Sequence, residues 1–169
     1  MHSRIFCLID NNKSEEEKEV LRENFKDLTE DDLYEQFQCY GADYVNANTE
    51  LQSDCDWLKE CNGCEVYQKD GKYFVEFKLD AVKKAVMERV EEIKARADEL
   101  SIDNISSYTL YDLKNLLGDK GGFWFLIDER WSDYTIDDFL TELYADYRDD
   151  REYKLPLVYE VVRTFDFHY

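Results

Sequence analysis

Cys55, Cys61 and Cys64 fall within ten residues, and Cys39 precedes the first of them by sixteen, giving the spacing C-x15-C-x5-C-x2-C. Thiolates are strong zinc ligands, and two of them three residues apart can grip one ion. Gly63 permits the tight turn that the Cys61-Asn62-Gly63-Cys64 pair requires. These residues read as a closed structural zinc site with Cys39 as fourth ligand, a place that Asp54 or Asp56 could also fill. A second strict C-x2-C is missing, so a set of reduced, partly buried thiols remains the competing reading. A redox role fits less well, because redox pairs open a helix after a strand, whereas this pair ends a helix and precedes a strand. Cys7 lies in an apolar run and is expected in the core.

The second chemical signal is acid. Forty acidic residues against twenty-one basic ones give a net charge of −19. Residues 10–60 hold sixteen acids and five bases, and residues 128–150 hold nine acids and two bases, so almost all the excess sits in two segments. Such a field repels nucleic acid and anionic lipid and favours cationic partners. Solubility alone is the competing reading, although a solubility device would be more diffuse.

In the second segment Asp138, Glu142 and Asp146 recur every four residues on one side of a helix, and Asp149 and Asp150 extend the row. Like charges at this spacing cost roughly 0.2–0.5 kcal/mol per pair. Acids in a last turn also oppose the helix dipole. Lysines would give solubility without either cost, so the row hints at use. The candidate partner-binding residues are Glu30, Asp31, Asp32, Asp133, Asp137, Asp138, Glu142, Asp146, Asp149 and Asp150. One such helix is too sparse to imitate duplex DNA, which carries a charge per ~1.7 Å. The Glu30-Asp31-Asp32 turn beside the Asp138 row would come closer. Glu15, Glu19 and Glu23 form a similar row, but Lys18, Arg22 and Lys26 each follow three residues later. That face is expected to be salt-bridged and neutral.

Catalytic signatures are lacking. The two histidines, His2 and His168, lie at the chain ends, and there is no Gly-rich phosphate loop, G-x-S-x-G or H-E-x-x-H. Asp31-Asp32 and Asp137-Asp138 could hold magnesium, but both sit where they would cap a helix. The chain is expected to bind rather than catalyse.

The elements that must position these residues follow from period and caps. Arg4–Ile9 is an apolar strand. Ser14 with Glu17, and Thr29 with Asp32, open two helices. A short helix covers residues 50–60. Residues 65–79 form a hairpin about Lys69-Asp70-Gly71, with Tyr73, Val75, Phe77 and Leu79 on one face. Asp80 is expected to cap a long helix to Leu100 that buries Val82, Val86, Val90, Ile93 and Ala97. A short helix over Thr109–Leu117 stops at Gly118, and a Gly121-Gly122 turn leads into the strand Phe123–Ile127. Thr135 caps the acidic helix, whose apolar face is Ile136, Phe139, Leu140, Leu143, Tyr144 and Tyr147. Leu157–Tyr169 is the last strand, with Leu157, Tyr159, Val161, Phe165 and Phe167 on one face. No internal repeat or linker appears. The sequence predicts one α+β domain over residues 1–169, an antiparallel sheet with helices packed mainly on one face. Five cysteines, an odd number, with no signal-peptide core or membrane-length apolar run, fit a cytoplasmic chain.

A compact, aromatic-rich, strongly acidic chain with the Thr135–Asp150 helix and the Cys39–Cys64 cluster resembles the phage-encoded anti-CRISPR proteins, nearest to inhibitors of Cas9, some of which carry bound metal. The resemblance is one of class, since these inhibitors share no defining motif. It implies a stoichiometric blocker of a basic nuclease, whose acids occupy the channel that holds guide or target. It also implies a bacterial host cytoplasm and no direct contact with nucleic acid or membrane. Bacterial immunity proteins that neutralise basic toxins share these features, as do acidic anti-restriction or nucleoid-protein decoys. The run Phe123–Trp131 would suit an inhibitor or an immunity protein.

Overall fold

The apolar run near the N-terminus becomes the middle of the sheet. In the computed structural model, which describes residues 2–117, 122–128, 132–150 and 154–168, strand β1 is His2–Asp10. Its residues Ile5 to Ile9 are all sealed from solvent. A strand covered on both faces reads as a continuous apolar run rather than an alternation, and β1 is therefore roofed on both sides.

The remaining strands are β2 (Tyr44–Asn46), β3 (Glu65–Lys69), β4 (Lys72–Phe77), β5 (Phe123–Ile127), β6 (Ser132–Thr135) and β7 (Leu157–His168). Their order is β3-β4-β7-β1-β5-β6, with β2 also paired to β7. The α+β class holds, but the sheet is mixed: β1 and β5 run parallel, Ile5 opposite Trp124. Helices precede β5, and a parallel neighbour needs a long crossover of that kind rather than a hairpin.

The helices are α1 (Glu15–Asp27), α2 (Glu30–Phe37), α3 (Leu51–Leu58), α4 (Leu79–Asp98), α5 (Ser107–Leu117) and α6 (Ile136–Asp149). From α3, α4 and α6, Leu58, Val82, Phe139 and Leu143 pack on Phe6, Phe77 and Phe125. With α5 packed on α4, most helices share this face, and α1 and α2 cover the other. There Leu21, Phe25, Leu33 and Phe37 pack on Ile5, Trp124, Phe165 and Phe167. The apolar runs in β1 and β5 demanded this second layer.

Strand β7 changes sides midway. Cys7 lies opposite Arg163 but Leu8 opposite Val161, so Val162 is an extra residue. Such a bulge reverses the alternation. Tyr159 and Val161 therefore join the α6 side, and Phe165 and Phe167 the α2 side. The single apolar face expected for this strand is thus two half-faces.

Local signals worked as their chemistry dictates. Both capping boxes form, with Ser14 N–H donating to Glu17 at 2.8 Å and Thr29 N–H to Asp32 at 2.9 Å. The hairpin turns on Asp70 and Gly71, both at positive φ, the backbone that a two-residue turn between twisted strands needs. Leu79 does not extend that hairpin. It opens α4, with Lys78 rather than Asp80 at the N-cap position. Only Val82 of the stripe expected on α4 is fully buried, and Val90 and Ala97 stand exposed. The expected stop at Gly118 and the Gly121 turn position lie outside the described residues, as do Glu129-Arg130-Trp131 and Tyr169. Among the described residues, no helix is long and apolar enough to cross a membrane.

The charged face of α1 pairs as the spacing requires: Lys18 with Glu15 at 3.1 Å, Arg22 with Glu19 at 2.9 Å, and Lys26 with Glu23 at 3.4 Å. Arg22 also reaches across to the buried Glu160 of β7 at 2.7 Å, where Lys72 joins at 3.4 Å. Burial alone would raise the Glu160 carboxyl, but the two cations outweigh it and hold the group below its usual value. A carboxylate with a depressed native pKa contributes stability that is full above the unfolded value of about 4.3. That contribution is lost as pH falls through the native value. Urea denaturation of Glu160→Gln at neutral pH and near pH 3 should therefore show a smaller acid-induced loss than the wild type.

Candidate partner-binding surface

Helix α6 is amphipathic because its apolar residues recur at helical spacing. Phe139, Leu140 and Leu143 are buried against the sheet. Thr135 accepts the Asp138 N–H at 3.2 Å and sets the start of the helix. With the inner face fixed, Glu142, Asp146, Asp149 and Asp150 project to solvent. Glu142 and Asp146 make no ion pair among the described residues. Asp149 is held by Arg148, its neighbour in sequence, at 2.7 Å. That contact holds the Asp149 carboxyl below its usual range.

The first member of the row behaves differently. Asp138 is half-buried and turned toward Arg89 of α4 at 3.4 Å, and Arg89 also donates to Thr141 at 3.1 Å. Asp137, a partner-binding candidate outside the row, lines a cleft of about 270 Å³ between α4 and α6, beside Cys61, Glu88, Arg89 and Leu140. The solvent-facing row is therefore Glu142, Asp146, Asp149 and Asp150.

The other acidic candidates do not join it. Glu30 accepts the Ala47 N–H at 2.6 Å, and Asp32 is spent on the Thr29 cap. Asp31 is exposed at the same helix start. Helix α2 packs on the face of the sheet opposite α6, so the composite acidic surface suggested by the sequence does not assemble. Asp133, in β6, lies opposite Leu126 of β5, and its side chain lies outside the described residues.

The cysteines divide in the same way. Cys55 is sealed in the core beneath α6, with Cys61 and Cys64 half-buried against it. Cys39 is exposed just after α2, on the far face, and donates to the Gln36 carbonyl at 3.3 Å. Asp54 is engaged by Arg4, and Asp56 by Lys59. Among the described residues, no three His, Cys, Asp or Glu side chains stand close enough to share a metal ion. Burial pushes the Cys61 thiol up to about 11, with Asp137 adding to the effect. The Cys55 and Cys64 thiols are pushed up to about 12, again chiefly by burial. Such groups stay protonated at neutral pH. The residues as placed do not fit a four-ligand zinc site.

Gly63, between Cys61 and Cys64, has a backbone reason of its own. Gly63 sits at φ +96°, and a Cβ there would lie 2.5 Å from a methyl of Leu140. Gly63→Ala should cost about 1–3 kcal/mol through strain and overpacking, measurable as a lower denaturation midpoint. A thiol-reactive dye should label Cys39 first, Cys61 and Cys64 slowly, and Cys7 and Cys55 only in denaturant.

One cluster gave no sequence signal. The first and last strands pair along their length and set His2 opposite His168. Their rings meet edge to face at 4.9 Å, and His168 stacks on Tyr44 at 5.0 Å. His2 reaches Asp166 at 2.9 Å. Arg4 bridges Asp166 to the buried Asp54, donating to the latter at 2.6 Å. Thr164 gives Asp54 a second bond at 2.6 Å, and Thr49 bonds Thr164 at 2.9 Å. Each carboxylate here is spent on a cation or a hydroxyl. The cluster ties β1, β7 and α3 together and presents no activated nucleophile.

No protein-family model, curated protein or solved structure matches the chain.

Proposed function

We propose that this chain is a stoichiometric inhibitor that binds a basic, nucleic-acid-binding nuclease of the Cas9 type, occupying the surface that would otherwise hold guide or target. The observation that carries the reading is the outward row on α6. Glu142, Asp146, Asp149 and Asp150 stand exposed on a helix whose other face is locked into the core, and Arg148 pairs with Asp149. A net charge of −19 supplies the long-range field. Together they favour fast encounter with a cationic channel over contact with nucleic acid. On this reading the chain acts by binding, not by turnover.

The test is titration of a Cas9–guide complex, and separately of a basic toxin nuclease, with purified protein while DNA cleavage is followed. Activity should fall linearly to an endpoint at one equivalent of Cas9 and should return as salt is raised. Undiminished cleavage by Cas9 at excess inhibitor and low salt would overturn the reading. Inhibition of the toxin nuclease alone would assign the chain to immunity.

A further inference from the structure

Seven of the eleven large apolar side chains that stand exposed among the described residues lie between Met87 and Tyr111. They belong to α4, to α5 packed on it, and to the turn between them. Tyr108 and Tyr111 are 72% and 59% exposed and lie three residues apart on α5. Residues at that spacing share a helix face. On α4, Lys83, Met87, Val90, Lys94 and Ala97 are all exposed. Their 4-3-4-3 spacing is that of a helix–helix seam.

Charge identifies what can cover this surface. Helix α4 carries five acids and five bases, and residues 100–111 carry one charge, Asp103, in a chain that is −19 overall. A basic partner finds no complement here. Two copies of the same acidic molecule, however, meet here with the least repulsion. Each half of α4 is itself balanced, with Asp80, Lys83, Lys84 and Glu88 in the first and Arg89, Glu91, Glu92, Lys94, Arg96 and Asp98 in the second, so an antiparallel copy meets no net charge. An antiparallel pairing about Val90 and Glu91 sets Lys83 opposite Asp98 and Met87 against the aliphatic stem of Lys94. This is the self-complementarity that a two-fold contact demands. A stable interface buries about 800 Å² per partner, and Tyr108 and Tyr111 can each supply their exposed share, 72% and 59%, of the roughly 150–250 Å² that an aromatic side chain buries. The aliphatic side chains Met87, Val90, Ile105 and Leu110 add to that area.

We propose that the outer face of the α4–α5 pair is a two-fold interface for a second copy of this chain, anchored by Tyr108 and Tyr111 and registered by Lys83 against Asp98. The acidic row of α6 is not part of it.

Sedimentation velocity of the full chain over a concentration series, at low and at high salt, tests this directly. The wild type should pass from monomer to dimer. The dimer should tighten as salt screens the repulsion between the two acidic bodies, the opposite of the salt response expected for a basic partner. Tyr108→Ser with Tyr111→Ser should weaken association about ten-fold or more, as loss of aromatic anchors does. Val90→Asp, which sets like charges across the two-fold axis, should do the same. Circular dichroism checks that both variants keep the native fold. A wild type that stays monomeric at every concentration and both salts overturns the proposal. So do variants that dimerise as tightly as wild type, and so does a monomer that instead floats with neutral lipid vesicles.

Discussion

Arg4→Met is expected to cost about 3–5 kcal/mol of folding stability, the loss typical of removing one partner of a buried ion pair. The Asp54 side chain is only 5% exposed, and Arg4 lies against it at 2.6 Å. Without the guanidinium, Asp54 keeps one hydroxyl bond from Thr164 and loses its counter-charge. Asp166 loses the same cation. Removing both charges together should hurt far less, because the most deeply buried ion goes with its partner and Asp166, which loses Arg4, keeps its contact with His2. Arg4→Met with Asp54→Leu should therefore recover much of the loss. A urea-denaturation cycle over the two single variants and the double variant measures this as a coupling energy of about 0.5–3 kcal/mol. A single Arg4→Met variant as stable as wild type would mean that the cluster does not hold the sheet ends.

That cluster also marks the boundary of what a sequence shows. Features whose partners lie within one turn of helix or one hairpin were legible. Ser14 and Glu17 closed their box, Asp70-Gly71 made its turn, and Lys18, Arg22 and Lys26 found their acids. The inner face of α6 was legible for the same reason, except that Tyr147 stands exposed. Contacts between distant segments were not. Arg4 meets residues 50 and 162 positions away, and nothing near it in sequence announces either.

The bulge at Val162 escaped because one inserted residue leaves an apolar pattern looking continuous while it swaps the faces. The cysteine spacing left its fourth member open, because whether Cys39 lies near Cys55, Cys61 and Cys64 depends on which face of the sheet α2 covers, and a turn glycine such as Gly63 serves packing on Leu140 as well as a metal-binding turn. Of the acidic candidates, the exposed end of the α6 row kept its place. Glu30, Asp32 and Asp138 proved to be engaged in local bonds that sequence spacing leaves ambiguous.

If acids on α6 steer the chain to a cationic nuclease, their loss must appear in the rate of encounter. The variant to make is Glu142→Gln with Asp146→Asn and Asp149→Asn, since all three side chains are exposed and none supports the core. Its stability should stay within about 0.5 kcal/mol of wild type, as for ordinary surface changes. Removing like charges along one face should even relieve the helix slightly. The equivalent change at Glu15, Glu19 and Glu23 is the control, because Lys18 and Arg22 already neutralise much of that face.

The deciding measurement is the association rate with a Cas9–guide complex by stopped flow across a range of ionic strength. The α6 variant should associate about ten-fold more slowly than wild type at low salt, and the two should converge as screening removes the long-range field. The α1 control should track wild type. An α6 variant that binds as fast as wild type at every ionic strength would contradict a steering role for these acids and leave them as solubility groups.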